Sequence, residues 1–325
     1  MLRQPRRAQS QRLAGIPASP TSPPTAGRDV NRTFGLRKRR GVVLTPPSPR
    51  PQDQEPTAYV RRPAFHLLGN VSVRLSTGDQ LALRPKHRQL LALLLLQANS
   101  PVPTEALIER LWDGTPPASA FGNLKTYIWE LRRSISPHDP SAAPIDTVSN
   151  GYRVTADAGN LDVIRFRQLA REGHQALGHN DHITAWDRFD QALRTWNGRA
   201  LQDSRTLRAL RDESDRLEEQ RVSVVTELVD LLIARGAYAD SIDRLHSVMN
   251  PGKPRERLWG QLMLALYLDG RQIEALGTYQ QLRRLLIDSA GVDPTHSVQR
   301  LHERMLSADV TLGVSWRGSA GATIF

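Results

Sequence analysis

Residues 118–135, ASAFGNLKTYIWELRRSI, have the pattern of a helix that is buried on one side. Apolar residues follow one another at intervals of four, three and four, which places them on one helix face. They are Leu124, Ile128, Leu131 and Ile135. The remaining surface carries polar side chains that can donate to phosphates or read base edges in a major groove. These are Asn123, Lys125, Thr126, Glu130, Arg132 and Arg133. The alternative is an ordinary amphipathic surface helix whose two arginines serve the helix dipole.

Three neighbouring segments predict a winged helix-turn-helix around this helix. Residues 85–98 (PKHRQLLALLLLQA) read as a mostly apolar first helix, and residues 104–112 (TEALIERLW) as a short second helix capped by Thr104. The sequence DGTPP at 113–117 separates the second helix from the third. Residues 145–155 contain Ser149-Asn150-Gly151 between β-forming residues, and Asn-Gly is a strong hairpin signal. Two short strands, the wing, are therefore expected after the third helix.

Ahead of the helices, residues 65–83 alternate apolar and polar side chains and are broken at 69–70 and 77–79, which predicts a small antiparallel sheet. Sheet, three helices and wing in this order resemble the OmpR/PhoB-type DNA-binding domain. The segments LRPKHRQLLALLLLQANSPVPTEALIERLW, PPASAFGNLKTYIWELRR and GYRV are similar to the Streptomyces antibiotic regulatory protein (SARP) family. In such a domain the third helix enters a major groove of double-stranded DNA, and the wing touches the adjacent minor groove or backbone.

Other side chains join the expected DNA contacts. Lys86 and Arg88 begin the first helix, and Asn150 and Arg153 lie on the wing. The alternative interpretation is that Lys86 and Arg88 are ordinary solvated charges. Members of the family usually have arginine at the position of Glu130. A glutamate there either accepts from a cytosine amino group or weakens the attraction to phosphates.

The winged-helix segment, residues 64–157, is nearly neutral, with 9 basic against 8 acidic residues. Such a domain can still bind DNA if its positive groups are gathered on one face. The aromatic residues Tyr127 and Trp129 either cover the edge of the core or pack on the sugar-phosphate backbone, and we predict the core. Tyr152 on the wing is predicted to pack as well.

From residue 158 onward the pattern is almost entirely helical. Gly236 and Gly270 are 34 residues apart, and each is followed six residues later by an apolar residue; Asn180 repeats this offset. A 34-residue period is typical of tetratricopeptide repeats, with a helical bundle as the alternative. The segments TWNGRAL at 195–201, RERLWGQLMLALYLDGRQIEALGTYQQLRRLL, GVDP and LHERML are similar to the bacterial transcriptional activator domain of the SARP family, although NPGKPRER at 250 is longer than usual. The helices are predicted at 161–177, 183–196, 207–235, 238–249, 255–268 and 273–287.

The predicted fold class is thus an α+β winged helix-turn-helix (64–157) followed by an all-α tetratricopeptide-like domain (158–310), with a short tail at 311–325. Residues 1–63 hold 13 basic against 3 acidic residues and half of the 22 prolines, a composition typical of disorder. The run Arg37-Lys38-Arg39-Arg40 could add phosphate contacts of no sequence preference. The alternative is an upstream extension of little function.

Several function classes lack their motifs. There is no cysteine, and the longest purely apolar run, 90–96, is far shorter than the roughly 18 residues that cross a bilayer. Phosphate-loop, zinc-protease, nucleophile-elbow and dinucleotide motifs do not occur, so no enzyme, cofactor or metal is expected. His174, His179 and His182 are too poorly aligned for a metal site. The ATPase module of longer relatives and the receiver domain of OmpR-type proteins are also missing.

The resemblance implies a cytoplasmic, nucleoid-associated activator that binds direct repeats as a homodimer or in tandem. It further implies recruitment of RNA polymerase holoenzyme and control of a secondary-metabolite (antibiotic) gene cluster. One alternative is a scaffold or adaptor whose winged helix no longer reads DNA. Another is a regulator with a small ligand in the concave helical surface.

Overall fold

The computed structural model describes residues 62–312, and its first half is the predicted winged helix. Two strands form an antiparallel ribbon, and three helices follow it. A second sheet has three strands, and the last strand along the chain lies between the other two. The elements are β1 Ala64–His66, β2 Ser72–Arg74, α1 Pro85–Leu95, β3 Val102–Pro103, α2 Thr104–Leu111, α3 Ala120–Ile135, β4 Ile145–Val148 and β5 Gly151–Val154. The predictions for residues 1–61, with the basic run at 37–40, and for 313–325 lie outside the described residues.

The helices take their places because their apolar residues face one core. The four apolar residues that predicted α3 are all buried, which confirms the periodicity. In α1 every residue from Leu90 to Leu95 is buried. This helix ends three residues earlier than predicted, since Asn99 has a φ of 71° and its side chain bonds the backbone of Ala156 in both directions, at 2.7 and 3.1 Å.

The wing differs from the prediction in its turn and in its number of strands. Val148 pairs with Gly151, so the two turn residues are Ser149 and Asn150 and not Asn150-Gly151. Gly151 is needed instead for close approach, because a Cβ there would lie 1.9 Å from the carbonyl oxygen of Val102 on β3. The sequence analysis did not predict β3, which has only two residues.

The predicted cap of α2 is wrong. Thr104 is the first residue of the helix, the N-cap is Pro103, and no side chain caps this end. The backbone N–H of Thr104 instead donates to the carbonyl oxygen of Asn150 at 3.0 Å, which ties α2 to the wing turn.

The second half consists of helices that pack on their neighbours in sequence, as the repeat prediction requires. Short turns join α4 to α5, α6 to α7 and α8 to α9, and these pairs stack on one another. The turns contain Asn180, Gly236 and Gly270 with φ of 57°, 81° and 80°, so the 34-residue spacing marks equivalent left-handed turn positions. The helices are α4 Asp162–Gly178, α5 His182–Leu193, α6 Arg208–Arg235, α7 Tyr238–His246, α8 Glu256–Leu268, α9 Gln272–Ala290 and α10 His296–Leu306.

The β1–β2 turn fastens the winged helix to the helical half. The Asp162 carboxylate accepts from the backbone N–H groups of Leu67 and Leu68 at 2.9–3.0 Å. Burial raises the pKa of this carboxyl, against the opposing effect of those hydrogen bonds. The 195–201 segment adds backbone bonds, from Asn197 to the carbonyl oxygen of Leu68 and from Leu201 to that of Leu67. A family motif of the sequence is therefore an interdomain contact.

Candidate DNA interface

The outer face of α3 lies opposite its buried stripe. A residue two positions before a buried one is rotated from it by about 200° around the helix axis. The same four-three-four spacing therefore recurs on the opposite side of the helix. The residues at these positions are Gly122, Thr126, Trp129 and Arg133, and all four are exposed. A Cβ added at Gly122 would meet nothing within 4 Å, so this position is open to an approaching molecule.

Two aromatic side chains and two cations alternate at intervals of four residues along the exposed surface of α3, which runs from Phe121 on the flank of the helix to Arg133 on its outer face. Phe121 and Trp129 are each 54% exposed. The Lys125 ammonium lies 4.6 Å from the centre of the Phe121 ring, and the Arg133 guanidinium carbon lies 5.3 Å from that of Trp129. The rings thus hold both charges beside apolar surface on the side of the helix that faces solvent.

Glu130, expected to face DNA, is turned away towards α1. His87 Nε2 donates to its carboxylate at 2.6 Å, and the Arg84 guanidinium lies 3.9 Å from the same oxygen. The His87 side chain is only 8% exposed. Glu130 is also the only acidic residue of α3. The departure from the family pattern therefore does not put a free negative charge on the exposed face.

Four of the cationic side chains predicted to contact DNA are instead bonded to other groups of the protein. Arg132 donates from Nε to the carbonyl oxygen of Ile145 at 2.9 Å and from a terminal nitrogen to Thr147 Oγ1 at 2.8 Å, so it fastens α3 to β4. On the wing, Arg153 pairs with Asp146 at 3.0 Å across the hairpin.

The two cations of α1 are also engaged. Lys86 donates to the carbonyl oxygen of Leu111 at 2.8 Å, where it satisfies the end of α2 and lies 5.5 Å from the ring centre of Trp112. Arg88 bonds the carbonyl oxygen of Leu83 at 3.0 Å and the carboxylate of Asp203 at 3.1 Å. Arg88 therefore connects the winged helix to the helical half.

The remaining predicted contacts lie at or near the surface. Asn123 donates to Ser119 Oγ at 3.1 Å, and the Thr126 hydroxyl donates to the carbonyl oxygen of Gly122 at 3.1 Å. The side chain of Asn150 is exposed at the tip of the wing. Lys125, Arg133 and these three polar residues form the part of the predicted set that is available to a ligand.

One aromatic residue lies elsewhere than predicted, and two exposed positions of α3 carried no prediction. Trp129 is exposed, so its assignment to the core is wrong, whereas Tyr127 and Tyr152 pack as predicted. Phe121 and Gly122 were not singled out. The sequence favours exposure of Gly122 and Trp129, because each lies two residues before a member of the buried stripe and therefore on the opposite side of the helix.

Two features typical of other protein classes, a membrane-spanning helix and a metal cluster, do not occur in the described part of the chain. Between residues 62 and 312 no helix is long and apolar enough to cross a membrane, and no group of three or more His, Asp or Glu side chains could hold a metal ion. The ring nitrogens of His174 and His179 are paired with the carbonyl oxygens of Ala170 and Gln175, each one helical turn back.

Comparison with known proteins identifies both halves. Residues 78–154 match the family described as Transcriptional regulatory protein, C terminal, and residues 161–306 match the Bacterial transcriptional activator domain. Regulatory protein DnrI of Streptomyces peucetius is 36% identical over 251 residues, which cover 75% of this chain and 92% of DnrI. The chain belongs to the SARP family of transcriptional regulators. Its winged helix is thus a DNA-binding domain of the OmpR/PhoB type.

Two other relatives are longer than this chain. Regulatory protein AfsR of Streptomyces coelicolor is 35% identical over 264 residues, which are 81% of this chain and 26% of AfsR. A solved structure of Mycobacterium tuberculosis EmbR in complex with a low-affinity phosphopeptide has a TM-score of 0.69 and 30% identity, covering 80% of this chain and 69% of that one. The order of winged helix and helical activator domain is therefore shared.

Proposed function

We propose that this SARP chain is a sequence-specific transcriptional activator whose α3 enters the major groove with its outer face. The observation that carries the proposal is that face itself: Gly122, Thr126, Trp129 and Arg133 are exposed together, opposite the buried stripe. Arg133 and Lys125 supply charge for phosphates or guanine, while Thr126 and Trp129 supply apolar contact.

The expected contacts divide into two groups. Lys125, Arg133 and the polar residues Asn123, Thr126 and Asn150 are proposed to touch DNA directly. The others are proposed to hold the reading elements in place: Arg132 and Arg153 within the wing, Glu130 and Lys86 between the helices, and Arg88 at the domain boundary. Changes in the second group should therefore alter affinity mainly through stability.

The wider role rests on similarity to DnrI and AfsR. We infer binding to direct repeats as a homodimer or in tandem, recruitment of RNA polymerase holoenzyme, and control of a secondary-metabolite gene cluster in the cytoplasm. An activator of this kind reads half-sites whose spacing follows the geometry of its protomers.

The test is selection of binding sites from a random pool of duplexes, using the full chain. Arg133→Ala and Lys125→Ala should each weaken binding and lower the salt dependence by about one counterion if the residue contacts phosphate. Arg300→Ala is a matched control, because Arg300 is an exposed arginine of α10 on the helical half. Recovery of no motif, with little affinity at any salt, would favour an adaptor over a DNA-binding activator.

A further inference from the structure

The exposed face of α3 carries more apolar surface than a solvated helix needs. Phe121 and Trp129 are both more than half exposed although each has a large ring. Neither ring is required to fill the core, which other residues of α3 already fill. Each ring lies beside a cation on the same helix, so the pair forms an apolar surface with positive charge that is available to a partner.

The charges around the two rings indicate a nucleic acid as that partner. Lys125 and Arg133 are held beside the rings at 4.6 and 5.3 Å, and the only carboxylate of α3, on Glu130, is bonded to His87. An apolar surface flanked by cations and free of unpaired carboxylates fits the edge of a base pair between two phosphate backbones. In the major groove, the apolar group of the base pairs is the 5-methyl of thymine.

We propose that Phe121 and Trp129 are specificity-determining residues that recognise thymine 5-methyl groups; this inference rests on the proposed function. The two residues are eight positions apart, which is about 12 Å along a helix. Eight positions also turn the helix by about 80°, so each ring meets a different thymine, and the selected operator shows how far apart the two thymines lie. Lys125 and Arg133 contact the phosphates or guanines beside them.

The experiment replaces each thymine of the selected operator, one at a time, with deoxyuridine, which lacks only the 5-methyl group. For the unmodified chain, uracil at two positions should weaken binding about three- to fivefold each, the effect of exposing one methyl group. Trp129→Ala should abolish the difference between thymine and uracil at one of these positions, and Phe121→Ala at the other. Arg133→Ala is the control, because it should weaken binding to both duplexes equally.

The outcomes separate the two proposals. If uracil has no effect while Trp129→Ala weakens every duplex equally, the rings pack on sugar-phosphate and the thymine inference is wrong. Unchanged affinity and thymine preference in both alanine variants would overturn it too. If the chain selects no operator, the proposed function fails and the inference with it. Thermal unfolding of both variants should remain close to that of the unmodified chain, since the removed rings are largely solvated.

Discussion

The replacement of Arg132 by lysine separates two roles for the same residue. Arg132 was predicted to contact a phosphate or a base edge, whereas in the structure its guanidinium joins α3 to the wing through Ile145 and Thr147. Lysine keeps the charge but cannot reach both acceptors in the planar geometry of arginine. Hydrogen bonds from a charged donor contribute about 1.5–3 kcal/mol each to stability. Because the site is partly exposed, we expect each of the two bonds of Arg132 to contribute about 1 kcal/mol.

The expected loss of stability is therefore about 1 kcal/mol for Arg132→Lys and about 2 kcal/mol for Arg132→Ala. In a chain of this size, each 1 kcal/mol should lower the melting temperature by about 2–4 °C. Circular dichroism measures the melting temperature, and titration of the selected operator and of its single-base variants measures preference. Arg133→Lys is the matched control, since the neighbouring guanidinium contacts only the exposed ring of Trp129; its melting temperature should not change measurably.

If Arg132→Lys or Arg132→Ala loosens the wing, affinity for every duplex should fall by the same factor. The ratio of affinities between the operator and its single-base variants should then stay the same. A base-reading arginine would behave in the opposite way. It would leave the melting temperature unchanged and relax preference at one base pair by about 1–3 kcal/mol. That result would refute the assignment of Arg132 to the wing.

Three further predictions concern a glycine of the wing, a glycine of α3 and an aspartate at the boundary between the two halves. Gly151→Ala should destabilise the winged helix by about 3 kcal/mol or more in chemical denaturation, because its Cβ would overlap the carbonyl oxygen of Val102 and separate β3 from β5; a loss under 1 kcal/mol would show that β3 is dispensable. Gly122→Ala should stabilise the chain by up to about 1 kcal/mol, since alanine favours a helix and the site is open. The same change should weaken operator binding if the helix backbone approaches the groove at this position. Unchanged affinity would show that DNA does not approach α3 at Gly122. Because burial raises the pKa of Asp162, the folded chain holds that proton more tightly than the unfolded chain does. The free energy of unfolding, measured relative to Asp162→Asn in urea titrations, should therefore decrease as the pH rises from about 4 through the higher pKa of the folded state; a pH-independent difference would contradict this.

The elements that could be predicted are those whose information is local. The apolar spacing of α3 and the 34-residue recurrence of left-handed turns depend on residues within a few helical turns. A helix with one apolar stripe must bury it in almost any fold, so these predictions did not require knowledge of the neighbours. The wing strands were also predicted, although their turn was placed one residue too late.

The assignment of side chains within the interface depended on distant parts of the chain. Arg132 meets its acceptors 13 and 15 residues later in sequence, and Glu130 meets His87, 43 residues earlier. Arg88 pairs with Asp203 on the helical half. A charged side chain is equally compatible with DNA and with an internal carboxylate or carbonyl group, and only packing brings one of these partners within hydrogen-bond distance.

The sequence was therefore sufficient for the order of the helices, the wing and the family, because helix periodicity and family motifs are properties of short segments. It was not sufficient to show which side chains of α3 and the wing are free to contact DNA. Trp129 lies in the same helix as the core residues, and its place opposite the buried stripe favours exposure, but the sequence does not show whether a neighbouring element covers the ring. The contacts of α3 with α1, α2 and the wing leave that ring in solvent and engage Arg132, so tertiary packing decides which side chains of α3 remain exposed.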